Sequence, residues 1–345
     1  MITTSCNGRT FAIAIATLAG LSGASHAASR DFCAETARTL YSACKAGVTD
    51  DSLVKKAICL NVSDADARDA CFAEQAAARK DDAELCRGQK DTRLEACDLL
   101  GSDRYDPDLR PNRFDDPKHP SKPNPYFPLT VGHKWEYRAG DELNTVEVVD
   151  ETKLIAGVTC IVARDLVFTS GDLTEATDDW YTDAKDGNTW YFGEKTGEYE
   201  SFDGDHPREP ELVNIDGSFK AGRDGDKPGI IFLASPHVGD VYLEEFSLAN
   251  AEDATVVLST DYSYGKDATL DQAVPKTLAE RMCAGDCVVT KNFSMLEPGI
   301  FARKYYARGI GVILEVEFDP EADEPTVTQL TDCNFDARCN GLPQP

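Results

Sequence analysis

Two textures of apolar and polar positions divide this chain. From residue 31 to 100 alanine and charged residues dominate, and proline is absent. That is helical composition. From residue 127 to 318 alanine thins out, and Val, Ile, Thr, Tyr, Phe and Trp become common in short runs. Strand-like runs fall at 131–138, 144–149, 158–168, 178–182, 189–192, 229–234, 241–246, 254–258, 287–292, 301–307 and 312–318. Turn signals such as Ala139-Gly140-Asp141, Ser170-Gly171-Asp172 and Asp186-Gly187-Asn188 separate them. No Gly-rich strand-to-helix unit and no long amphipathic helix interrupts them. The fold class is therefore α+β: a helical hairpin region followed by an antiparallel β-rich domain, a curved sheet or a partial barrel.

Between these textures, residues 103–128 hold seven prolines. Proline removes a backbone donor and biases its predecessor to extended geometry, so this segment is neither helix nor central strand. It reads as a strap lying on its neighbours. The stretch "NPYFPLTVGHKWEY" (124–137) closes it. Tyr126, Phe127 and Leu129 are expected to anchor the strap to the β body, Gly132 to turn the chain, and Trp135 and Tyr137 to open the first strand on one face. The division that follows is 1–27, 28–102 (helical), 103–128 (strap), 129–318 (β domain) and 319–345 (acidic tail).

Residues 1–27 carry the pattern of a secretory signal: Arg9, an apolar run over 11–21, and Ser25-His26-Ala27 as a small-x-small cleavage site. The run is too short to span a bilayer, which needs about 20 residues. The formal charge is −26, and loss of Arg9 with the signal makes it −27 (−26 − 1). Such a field repels nucleic acid and anionic lipid, and neither is expected as a partner. The expected location is the periplasm or the exterior.

Cysteine usage agrees with export, which favours disulfides. Cys33, Cys44, Cys59, Cys71, Cys86 and Cys97 are separated by 11, 15, 12, 15 and 11 residues, a palindrome. Eleven residues return a helix nearly to the same face. Two antiparallel arms would then pair Cys33–Cys97, Cys44–Cys86 and Cys59–Cys71. The 15-residue step lies about 60° off that face on a straight helix, so breaks are expected near 47–51 and 80–82. Helix starts are expected at Thr49 and at Ser63, a stop at Gly101. Beyond the helices, Cys160 and Cys287 each open an apolar run, and a Cys160–Cys287 bridge is expected beside Cys333–Cys339, leaving Cys283 free. The alternative is Cys283–Cys287 with Cys160 as a buried thiol.

"NPYFPLTVGHKWEY", "GVTCIVARD", "DGNTWYFGE", "LEPGIFARKYYARGIGVILEVE" and the helical cysteine series together resemble a family of exported bacterial proteins without an established activity. "KYYARGIGVILEVE" is also similar to the last hairpin of periplasmic curved-sheet and lipoprotein-carrier-like domains. Those more often carry Pro-Gly-Val-Gly where this chain has Arg308-Gly309-Ile310-Gly311. The second resemblance implies a half-barrel able to hold an apolar ligand.

Motifs for chemistry are sparse. His119, His133, His206 and His237 form no His-x3-His or His-Glu-x2-His pattern. Gly-x-Ser-x-Gly is missing after residue 27. Ser-x2-Lys at 52–55 and at 263–266 lacks companion motifs. Trp180, Tyr181, Trp190 and Tyr191 could line a groove, although alternation places half of them in the core. Asp183, Asp186 and Asn188 are calcium candidates, in a spacing that departs from a calcium-loop register. No other cofactor is implied. The leading expectation is a soluble, exported cell-envelope binding or interaction protein, for a small molecule, glycan, lipid or protein. The alternatives are a secreted hydrolase or lyase using carboxylates or histidine on a glycan or lipid, and a structural envelope protein.

Overall fold

A computed structural model describes residues 30–345. The signal pattern of residues 1–27 lies outside the described residues. Two long helices come first: α1 (Phe32–Leu60) and α2 (Ala65–Leu100). Asp31 caps α1 by accepting from the Ala34 amide at 3.0 Å, and Asp64 caps α2 by accepting from Ala67 at 2.8 Å. Gly101, with φ 95°, ends α2.

Three disulfides join the arms, Cys33–Cys97, Cys44–Cys86 and Cys59–Cys71, with Cα separations of 5.7, 5.8 and 5.5 Å. Both helices run uninterrupted, which corrects the expected breaks. Positions 33, 44 and 59 span only about 80° of arc at 100° per residue, inside the roughly 100° stripe a helix presents to a neighbour. Thr49 starts no helix. It sits within α1, and its hydroxyl donates back to the Lys45 carbonyl.

The strap is pinned by aromatic side chains. Phe114 meets Trp190 and Phe192 edge-on, and Tyr126 packs on Phe232. The Asn124 side chain donates to the Phe232 carbonyl, and the Pro125 carbonyl accepts from Gly309.

Fifteen antiparallel strands follow among the described residues. In chain order they are β1 (Lys134–Ala139), β2 (Glu142–Ile155), β3 (Val158–Thr169), β4 (Asp172–Asp183) and β5 (Thr189–Glu200). Next come β6 (Glu211–Asn214), β7 (Phe219–Lys220), β8 (Lys227–Phe232), β9 (Val241–Leu243), β10 (Glu245–Phe246) and β11 (Asp253–Tyr262). A short helix, α3 (Lys276–Met282), precedes β12 (Cys287–Ser294), β13 (Phe301–Ala307), β14 (Gly311–Phe318) and β15 (Thr326–Cys333).

Thirteen of them lie in the lateral order β10-β8-β5-β4-β3-β2-β1-β15-β14-β13-β12-β11-β9, and β6 and β7 pair with β5 off this path. The two ends of that list are one piece of chain. β9 pairs with β11 while β10, one residue on, pairs with β8. The sheet therefore curls back on itself through residues 241–246. Gly229 on β8 permits the closure: a Cβ there would stand 2.1 Å from the Glu244 carbonyl oxygen. β15 is also a finding. The segment read as an acidic tail lies between β1 and β14 at the middle of the sheet.

Topology also corrects one disulfide. Five strands separate β3, which carries Cys160, from β12, which begins at Cys287. Cys160 packs with Phe114, Trp180 and Trp190, whereas Cys287 packs with Tyr262, Leu278 and Tyr305 in a different core cluster. Cys287 bonds Cys283 instead, with Cα atoms 5.2 Å apart, and Cys333 bonds Cys339 at 5.3 Å. Cys160 is a fully buried free thiol, and burial pushes its pKa up.

The hairpin docks on the sheet through Arg93, whose Nε and Nη2 donate to the two carboxylate oxygens of Glu252 at 2.7 and 2.9 Å. Both side chains are 5% exposed or less.

Candidate functional site

Strand alternation carries one set of side chains into the curl. Tyr137 (β1), Asn144 (β2), Asp165 (β3) and Asp179 and Tyr181 (β4) form one wall of a cavity of about 260 Å³. Lys304 and Tyr306 (β13), Glu315 (β14) and Thr328 (β15) form a second wall, continuous with the first because β15 pairs with β1. Ile231 of β8, Phe127 and Pro128 of the strap and the adjoining Leu129 complete it. Trp135 also lines it, with its Nε1 donating to the Ile310 carbonyl at 2.8 Å. The stretch that anchors the strap is thus part of the chamber wall.

No cation is among the main influences on the acids of the first wall. Asp179 is 9% exposed. The Tyr191 hydroxyl stands 2.6 Å from Asp179 Oδ1 and 3.0 Å from Glu194 Oε2. A phenol has one proton to donate. With both carboxyls ionised a single proton would serve two anions, a strain relieved when one carboxyl holds a proton of its own. The electrostatics agree: burial, then the Glu194 charge, pushes Asp179 up to about 8, and burial pushes Glu194 up to about 7. Burial and the Asp179 charge push Asp165 up to about 7. Asn144 Nδ2 donates to Asp165 Oδ2 at 3.3 Å, while Asp165 Oδ1 and Asn144 Oδ1 are buried and accept nothing. The main influences on Asp165 and Asp179 are burial, other carboxylates and hydrogen bonds.

The second wall is balanced. Lys304 Nζ lies 3.7 Å from Glu315 Oε2, directly across the β13–β14 ladder. Glu315, with help from Glu244, Asp253 and Glu245, holds the lysine well above its ordinary range. Deeper in, Glu244 accepts from Thr255 Oγ1 at 2.6 Å and from Asn292 Nδ2 at 2.8 Å. Burial raises Glu244 too.

The residues singled out in the sequence fall mostly elsewhere. Asp183 is buried and accepts from Thr189 Oγ1 at 2.7 Å. Asp186 accepts from the Asn188 amide, and Asn188 Oδ1 accepts from Ala234 at 2.9 Å. These three brace the β4–β5 turn. Among the described residues no three His, Cys, Asp or Glu side chains stand in a metal-holding group. His119, His206 and His237 are exposed, and His133 stacks on Phe335 at 3.8 Å. Burial lowers the pKa of His133. Ser52 accepts from Gln75, and Lys266 pairs with Asp261. Trp180 and Trp190 enter the core, while Tyr181 and Tyr191 stack 4.8 Å apart on the other face.

Sequence reasoning missed Asn144, Asp165, Asp179, Lys304 and Glu315. The available signal was a charge inside an apolar run, at a position sharing parity with core residues: Asp165 in "VARDLVF" and Lys304 in "FARKYYA". A second cavity of about 400 Å³ lies between hairpin and sheet. Its central charges, Arg93 and Glu252, are already paired.

Fold and site define a class: an α+β protein in which a disulfide-braced hairpin is joined to an antiparallel sheet curled round a partly charged chamber. No protein-family model matches the chain, and no curated protein matches it. Two solved structures are similar. One is a "putative exported protein with YmcC-like fold" from Bacteroides fragilis, 10% identical, covering 61% of this chain and 98% of its own, at TM-score 0.33. The other is a "putative lipoprotein" from Parabacteroides distasonis, 12% identical, covering 62% and 100%, at TM-score 0.30. Likeness at this level carries no functional argument. No helix among the described residues is long and apolar enough to cross a membrane.

Proposed function

We propose that this is an exported binding protein of the cell envelope and that its ligand occupies the chamber inside the curled sheet. Support for export comes from the signal pattern of residues 1–27 and from ten cysteines joined in five disulfides. The observation that carries binding is the chamber itself, about 260 Å³, where aromatic rings and polar groups converge. Its size is near the low end for small-molecule sites, about 300–1,000 Å³, so the ligand is compact.

The hydrolase reading is weaker on geometry. Carboxylate catalysis divides labour between one acid held neutral and one held ionised. Glu315, the third lining acid, is engaged by Lys304 at 3.7 Å, and no histidine lines the chamber. A thermal-shift screen against small metabolites tests the binding reading. Hits on the native chain should lose their shift in Thr328→Trp, which fills the chamber from a half-buried position. Hits that persist in that variant would place binding elsewhere.

A further inference from the structure

We propose that the chamber takes a compact organic cation, an ammonium or amidinium group on an apolar body, held at Asp165 and Asp179. This rests on the chamber being a ligand site. The first ground is the charge pattern. The lining acids are Asp165, Asp179 and Glu315, and the lining cation is Lys304. Lys304 faces Glu315 across the ladder, so that wall is self-compensated. Asp165 and Asp179 stand on neighbouring strands, where Asp165 opposes Thr177 and Asp179 opposes Ala163, so the two acids are diagonal partners. The largest charged influences on them are further carboxylates, so each holds a proton in the free protein and an arriving cation takes that proton's place.

The second ground is the hydrogen-bond inventory. The two buried atoms of this wall that lack partners, Asp165 Oδ1 and Asn144 Oδ1, are both acceptors. A ligand that completes the wall must bring donors. An anion or a bare carbonyl brings none, and a hydroxyl brings one. An ammonium brings three.

The third ground is the surface around them. Tyr137, Tyr181 and Tyr306 line the same space, and aromatic faces attract cations. Phe127, Val146 and Ile231 supply apolar contact for a body carrying the charge. A chain of formal charge −26 draws cations toward it at long range. An inorganic cation has no use for those aromatic and apolar walls, and the fully protein-made coordination shell it would want is not assembled here.

The test is calorimetry on the full chain with three probes of one shape: benzylamine, benzyl alcohol and phenylacetate. Benzylamine should bind at least about tenfold more tightly than benzyl alcohol, and phenylacetate should not bind. Asp165→Asn should weaken benzylamine about tenfold and leave benzyl alcohol within about twofold. Added salt should weaken the amine alone. Benzyl alcohol or phenylacetate binding as well as the amine, with loss in Thr328→Trp, would overturn the cation assignment and keep the chamber as a site. Benzylamine binding equally to Thr328→Trp would overturn the chamber reading as well. Calcium chloride displacing the amine at equal concentration, or no binding by any probe, would also overturn the cation assignment.

Discussion

The proton shared around Tyr191 makes a sharp prediction about pH. Asp179 is buried, contacts the Tyr191 hydroxyl at 2.6 Å, and is pushed to about 8 from an ordinary 3.8. In the unfolded chain it ionises near its ordinary value. Between roughly pH 4 and pH 8 the native state therefore holds a proton that the unfolded state has released, and stability falls as pH rises. The slope for one such group is about 1.4 kcal/mol per pH unit. From pH 5 to pH 8 this one carboxyl accounts for about 4 kcal/mol, full stability being present below about pH 4 and lost by about pH 8. Urea denaturation at pH 5, 6, 7 and 8, disulfides intact, measures it. Asp179→Asn mimics the neutral acid and should flatten the curve by close to one proton, about 1.4 kcal/mol per unit. Asp165 and Glu194 keep the same sign in the variant, so a residual fall remains. A native stability that rises over this range, or an unchanged slope in Asp179→Asn, would refute the claim that these acids are folded in neutral form.

Three further outcomes are expected. Arg93→Ala leaves Glu252 buried without its cation and should cost about 3–5 kcal/mol of hairpin docking, whereas the double variant Arg93→Met/Glu252→Leu should recover most of it; limited proteolysis within residues 103–128 reads the undocking. Trp135→Ala removes a ring 6% exposed and its bond to Ile310, and should lower stability by about 3–5 kcal/mol in denaturant titration. Cys160 should resist a thiol reagent in the native protein and react once denatured, with peptide mapping placing the label there and none on Cys283.

Much of the fold was legible because it rests on local rules. The nested disulfides follow from helical periodicity and a palindrome of spacings. The strap follows from proline chemistry, and the β body from short alternating runs between turn signals. What failed depended on neighbours far apart in sequence. Nothing local says that 326–333 inserts between β1 and β14, because its apolar content is modest and its acidic flank reads as tail. The Cys160–Cys287 expectation failed for the same reason: each opens an apolar run, and only the lateral strand order separates them. The chamber was the least legible part. Asp165, Asp179 and Lys304 look like ordinary solvated charges among 61 acids and 35 bases. Closure of the sheet through residues 241–246 gives their parity a meaning, since the inward face then lines a cavity.

Native mass spectrometry of the protein purified from its own host addresses the central claim most directly. A small molecule should be bound to the native chain, released on denaturation and missing from a folded Thr328→Trp variant prepared in parallel. A native chain that carries nothing, or a variant that carries the same adduct, would contradict the chamber as the site of function.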